Sequence, residues 1–316
     1  MADSGTFTFM AGESLSSLYR NGRVLIDRDP RGNTGDSKGI DVDHRTMVVH
    51  DARQPEVSMT CDENGFEICE HPLTAPVSFL DHDDVIRNYY PQCEQLVAKA
   101  TGARAFAFDH NVRSASGKEG NRAIEGGQDV QGPAHMVHGD YTLWGAPERL
   151  AQLSQPPGGN DTLKGYLPEG ESLISADLAA AARQDGGRFA IINVWRNIAD
   201  EPVARHPMAL CDGQTIRPED LVVFEIHYPN RIGENYFSKF ADQQKYYYYP
   251  ELSGDEALLI KQWDSAGRLA MTDGAEGDRP GEPCTFSFHT AFHPDGLRDD
   301  APDRWSIEVR CMVIYR

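Results

Sequence analysis

The apolar positions of this chain follow two periods in turn. Residues 83–100, "DDVIRNYYPQCEQLVAKA", set Val85, Tyr89, Leu96 and Val97 on one side of a helix, with Pro91 as a kink or restart and Gly102 as the stop. Residues 171–185, "ESLISADLAAAARQD", predict a second helix, ended by Gly186-Gly187. Elsewhere the runs are short and β-like. They are "MVVHDAR" (47–53), "VSMT" (57–60), "ARAFAFDHNVR" (103–113), "RFAIINVWRNI" (188–198), "DLVVFEIHY" (220–228), "KYYYYP" (245–250), "ALLIKQWDS" (257–265), "CTFSFHTAF" (284–292) and "SIEVRCMVIYR" (306–316). Residues 28–40 read as a surface loop, and the Gly-rich stretch 114–132 as a loop or a lid beside a site. With no repeat and no linker, the chain reads as a single domain over 1–316. It is mainly β with flanking helices, a sandwich or jelly roll instead of a parallel βαβ sheet.

Composition narrows the function classes. The chain has 316 residues and a net charge of −19, and an acidic surface repels phosphate backbones, so no nucleic acid is expected as partner. No run approaches the ~20 apolar residues of a membrane span. The N-terminal "MADSGTFTFMAGES" has no signal-peptide pattern, and the six cysteines form no CxxC pair, which fits reduced, buried thiols. A cytoplasmic protein is the expectation, with a small molecule as its substrate and a homodimer as its assembly. There is no GxGxxG, P-loop, HExxH or GxSxG signature.

The chemistry concentrates in "PAHMVHGDYT" (133–142). In a strand, residues i and i+2 share a face, so His138 and Asp140 project together past the small Gly139, and His135 points the other way. One histidine and one carboxylate are two corners of the two-His-one-carboxylate triad of non-haem iron. His289 is the best third corner, because Thr285, Ser287, His289 and Ala291 make a small polar face backed by Phe286, Phe288 and Phe292. His135 and His293 are rivals, since HxxH and Hx3H spacings make zinc pairs on helices, but both segments read as strand. An oxoacid co-substrate would need a cation for its far carboxylate, and a guanidinium offers a bidentate fork. Arg310 in the last strand is the first choice, with Glu308 as its alternative structural partner. Arg196 and Arg304 are the other candidates. For a substrate pocket the aromatic candidates are Tyr248, Trp195 and Trp263, with core or sheet packing as the favoured role of each.

These blocks resemble the fungal and bacterial hydroxylase/desaturase family that includes gibberellin desaturase-like proteins and homologues of the cephamycin 7α-methoxylation subunit. The similarity runs through "MVVHDAR", "DENGFEI", "YYPQCEQLVAKATGA", "FDHNVR", "VHGDYT", "INVWRNI", "HPMALCD", "DEALLIKQWDS", "HTAFHP" and "SIEVR", in that order. Asn197 stands where the family has proline. The resemblance implies an iron(II)- and 2-oxoglutarate-dependent oxygenase on a double-stranded β-helix (cupin-like) core, with dioxygen as co-substrate. It carries His138, Asp140 and His289 over as ligands and Arg310 as the 2-oxoglutarate partner. The outcome would be hydroxylation, desaturation or oxidative cyclisation of a small specialised metabolite. Two other readings stay open. One is a cupin-like metal enzyme that does not use 2-oxoglutarate, and the other is a non-catalytic companion subunit.

Overall fold

The computed structural model describes residues 2–28, 34–159, 161–229, 231–271 and 282–315. Along the chain run β1 (Ala2–Met10), β2 (Leu25–Arg28), β3 (Thr34–Lys38), β4 (Val42–Asp51) and β5 (Phe66–Glu70). Helices α1 (His82–Asp84) and α2 (Tyr90–Thr101) follow, joined by a π turn at Val85–Tyr89. Then come β6 (Arg104–Arg113), α3 (Ala115–Glu119), β7 (His138–Gly139), α4 (Gly145–Leu153), α5 (Ala176–Arg183), β8 (Phe189–Asn197), β9 (Met208–Cys211), β10 (Leu221–Tyr228) and β11 (Arg231–Ser238). The C-terminal part adds β12 (Tyr246–Tyr248), β13 (Glu256–Asp264), α6 (Arg268–Met271), β14 (His289–Ala291), β15 (His293–Pro294) and β16 (Ser306–Ile314).

These strands form two sheets. The larger has the order β15-β1-β4-β12-β9-β14-β7-β11-β10-β2-β3, and the smaller has β5-β13-β8-β16-β6. The smaller sheet is antiparallel throughout. One apolar cluster joins Phe7, Val49 and Tyr246 of the large sheet to Ile192, Val309 and Met312 of the small one. Every residue of β8 is buried, because α2 covers one face of the small sheet and the large sheet the other. The fold is mainly β with few helices, as the periodicity predicts.

Several boundaries differ for local reasons. Pro91 sits in the first turn of α2, where its missing N–H costs nothing, and Gly102 closes the helix at φ 67°. The second expected helix shrinks to Ala176–Arg183, because the Ser175 side chain caps Leu178 N–H and fixes the start there. Residues 57–60 form no strand but an irregular link between two turns: Val57 N–H bonds the Gln54 carbonyl, and the Thr60 carbonyl accepts Asn64 N–H. The expected strand at 284–292 keeps only His289–Ala291. Upstream of it, Cys284 and Ser287 donate to loop and β13 carbonyls at Asp62 and Lys261. Within the loop expected at 28–40, β3 pairs antiparallel with β2, and residues 29–33 lie outside the described residues.

Candidate active site

β14 lies between β9 and β7, and its pairing sets His289 directly opposite His138. Cross-strand neighbours bring side chains within reach, and the two imidazole centroids stand 4.4 Å apart. β7 is only two residues long, so Asp140 leaves the large sheet just past its end and turns toward the small one. His138, Asp140 and His289 each offer a ligand atom, all within 4.8 Å of one another.

Each ligand is oriented. His138 Nδ1 lies 2.7 Å from the Met136 carbonyl, which takes its proton and leaves Nε2 as a lone pair. That Nε2 lies 3.6 Å from Asp140 Oδ1. The other oxygen, Oδ2, accepts Asn193 Nδ2 (3.1 Å), Arg310 Nε (3.2 Å) and Arg310 Nη2 (3.1 Å). Gln262 Oε1 accepts Asp140 N–H at 3.1 Å. His289 Nδ1 is buried and has no hydrogen-bond partner among the described residues. A buried polar atom without a partner needs an explanation, and a bound ion is one. The donor set therefore fits iron(II): two neutral imidazoles and one carboxylate oxygen left free.

Electrostatics agree with the geometry. Burial, then the neighbouring His289, pushes the His138 imidazole down to about 4, and burial also lowers His289. Burial alone would raise the Asp140 carboxyl, but Arg310, then His289 and His138, hold it well below the usual carboxylate range. At neutral pH the set offers two neutral nitrogens and a full negative charge.

The arginines divide differently from expectation. Arg310 shares its face with Glu308 as predicted, yet three carboxylates already take its guanidinium: Asp140, Asp109 (2.9 Å) and Glu308 (3.2 Å). Arg196 points to the opposite face of β8. It donates to Tyr89 Oη (3.1 Å), to His71 Nδ1 and the His71 carbonyl (2.7 Å each), and to the Gly254 carbonyl. It is a cross-link beneath α2, away from the triad. Arg304 is buried at 2% exposure and lines a narrow cleft with Arg113, His138, His289, Glu308 and Trp195. Its Nη1 donates to the His206 carbonyl at 2.5 Å, its carbon lies 5.6 Å over the Trp195 ring, and its Nε has no partner among the described residues. Burial, with Arg113 beside it, pushes this guanidinium down to about 9 against the pull of Asp303 and Glu308. Arg113 had no signal beyond closing the strand "FDHNVR".

Of the three aromatic candidates only Trp195 lines the cleft. The Tyr248 ring packs on Phe292 and its hydroxyl on Asp3. Trp263 joins the apolar core, while its neighbour Gln262 faces Asp140. His135 and His293 do not join the triad; they meet His206 instead.

Comparison with known proteins places the chain in a family. A family model described as "Oxidoreductase/YMDC permease-like domain" matches residues 19–167 and 168–314. The Fe(II)/2-oxoglutarate-dependent dioxygenase nvfI of Aspergillus novofumigatus is 30% identical over 84% of this chain and 81% of its own length. The chain belongs to the iron(II)/2-oxoglutarate-dependent oxygenases. The family's iron(II), 2-oxoglutarate and dioxygen come with that membership. An uncharacterized protein in the dcmA 3' region of Methylophilus leisingeri is 45% identical over 58% of this chain and 85% of its own. The solved structure of the iron and alpha-ketoglutarate-dependent endoperoxidase NvfI, in a second conformation, superposes with a TM-score of 0.72 at 24% identity, over 99% of this chain and 98% of that one. Among the described residues, no helix of this oxygenase is long and apolar enough to cross a membrane.

Proposed function

We propose that this oxygenase holds iron(II) on His138 Nε2, Asp140 Oδ1 and one nitrogen of His289, and binds the far carboxylate of 2-oxoglutarate with Arg304. The strands around the site are read as a double-stranded β-helix within one domain. The observation that carries the ligand assignment is the asymmetry of Asp140. Asn193 and Arg310 engage Oδ2, and Oδ1 faces His138. Outer partners of this kind fix a ligand's direction and tune its basicity.

Bound there, iron(II) with 2-oxoglutarate and dioxygen would supply the oxidising power for reaction at an unactivated C–H bond. The protein's part is positioning. Arg310 and Asn193 aim the carboxylate. Met136 fixes the His138 tautomer. Arg304, bonded to the His206 carbonyl and with its Nε unpartnered among the described residues, offers a guanidinium to the cleft, and Trp195 gives it a flat apolar wall that sheds water. Ala134, Met208 and Ala291 add small or flexible apolar surface. The substrate is read as a small specialised metabolite, in line with relatives named hydroxylase/desaturase, and the product would be hydroxylated, desaturated or cyclised.

The test is anaerobic. Iron(II) and then 2-oxoglutarate are added to the metal-free protein, and the weak visible band of the iron–oxoacid chelate is recorded. The band is expected in wild type and absent in His138→Ala and Asp140→Ala. Full iron binding in both variants would overturn the ligand assignment.

A further inference from the structure

We propose that His135, His206 and His293 form a second metal site, built for a borderline divalent cation of the zinc class. Three segments far apart in sequence bring these imidazoles together. His135 lies just ahead of β7, His206 just ahead of β9, and His293 in β15 against β1. Each offers a ligand atom, and all three atoms lie within 4.8 Å of one another. The His135 and His293 rings stack at 4.4 Å and 7°, and the His206 ring stands across both, at 5.0 and 4.9 Å. Bonds of about 2.0 Å in a tetrahedral set need nitrogens roughly 3.3 Å apart, and because the His135 and His293 rings stack nearly parallel, one of them must tilt out of the stack before both lone pairs can meet one ion.

Three further observations separate this cluster from ordinary packing. His135 Nδ1 bonds the Ala291 carbonyl at 3.1 Å, the arrangement that fixes a ligating histidine's tautomer and leaves Nε2 free. His206 Nδ1 is buried without a hydrogen-bond partner among the described residues. His206 also holds a left-handed backbone at φ 51°, a conformation that costs a non-glycine residue energy and persists where surroundings or a ligand repay it.

The donor chemistry names the cation. Three nitrogens with no carboxylate favour zinc, copper or nickel over iron(II), whereas the neighbouring set contains Asp140. A zinc ion here would keep one position for water. It would also tie together three walls of the cleft, because Ala134, Met208 and Ala291 lie one or two residues from its ligands. Arg304, bonded to the His206 carbonyl, would be steadied with them.

The test uses the full chain with its iron site filled by iron(II) and 2-oxoglutarate, without dioxygen. Zinc(II) is titrated and bound metal counted after equilibrium dialysis. Wild type should take up one zinc and gain thermal stability. His293→Gln, a change at an exposed side chain, should weaken zinc at least tenfold, remove the thermal gain and leave the iron–oxoacid band intact. His206→Gln should do the same, and circular dichroism checks its fold. Equal zinc uptake by wild type and His293→Gln overturns the proposal, as does zinc uptake lost only in His138→Ala. The iron–oxoacid band reports independently on the proposed iron site, so failure of one assignment does not mimic failure of the other.

Discussion

Replacing Arg304 by glutamine tests which cation receives the co-substrate. The side chain is 2% exposed, gives one hydrogen bond to a carbonyl and has an unpartnered Nε. A carboxylate in the cleft would complete it. A hydrogen bond to a charged group contributes about 1.5–3 kcal/mol, and each ~1.4 kcal/mol is a factor of ten. Arg304→Gln should therefore raise the Kd for 2-oxoglutarate roughly 10- to 150-fold, with iron affinity unchanged. Stability should hold or rise, because the variant removes a buried cation that lacks a full partner. The assay is anaerobic titration of the iron-loaded protein with 2-oxoglutarate, followed at the chelate band. A Kd within twofold of wild type refutes the reasoning. If Arg310→Gln instead raises that Kd with iron retained, the carboxylate belongs to Arg310, as the family resemblance implies.

Arg310→Gln should weaken iron binding by about 10- to 100-fold, because it removes the group that aims Asp140. It should also cost about 3–5 kcal/mol in urea unfolding, because it leaves buried carboxylates unpaired. Arg196→Gln should lower stability by about 1–3 kcal/mol through lost bonds to Tyr89, His71 and Gly254, and leave 2-oxoglutarate affinity unchanged; a raised Kd would restore it to the site. The metal-free protein should lose stability on acidification. His138 titrates near 4 when folded against 6.5 when unfolded, so the unfolded chain binds the extra proton between those values. That contribution is present above pH 6.5 and fades as pH falls toward 4. It amounts to about 2 kcal/mol between pH 7 and 5. Urea midpoints of wild type against His138→Gln at the two pH values check it; parallel losses would refute it.

The pair His138/Asp140 was legible because two residues so close in sequence converge by local geometry alone, although β7 ends at Gly139 and Asp140 is aimed by Asn193 and Arg310, not by strand alternation. The paired His289 was legible as a polar position on a face backed by phenylalanines. What sequence could not supply was the traffic of charges between elements. Arg310 was read on the correct face, but nothing local shows that Asp109 and Asp140 arrive at the same guanidinium. Arg304 sits in "DGLRDDAPDRW", whose polarity suggests solvent, yet the chain folds back and buries it over Trp195. Arg196 was ambiguous because every position of β8 is buried, so composition cannot tell its two faces apart. The strand at β11 went unread for a related reason: its inward positions include Glu234, which Arg20 pairs at 2.8 Å. His206 escaped notice because its partners come from segments about 70 and 90 residues away.

The charge balance around the triad bears on the order of binding. Formal charges on Asp140, Glu308 and Asp109 oppose those on Arg310, Arg113 and Arg304, so the protein groups are near neutral by themselves. Iron(II) adds two positive charges and 2-oxoglutarate two negative ones. Either alone leaves a charged interior, and both together restore balance. Chelation would mask this effect, so the informative ligand is glutarate, a dicarboxylate of the same length without the oxo group. Glutarate should bind the iron-loaded protein more tightly than the metal-free protein, by roughly the 5- to 150-fold of an ordinary coupling between sites. Calorimetry under nitrogen measures both constants. Equal affinities would mean that the field of the metal does not reach Arg304. In that case the two groups would be coupled by chelation alone.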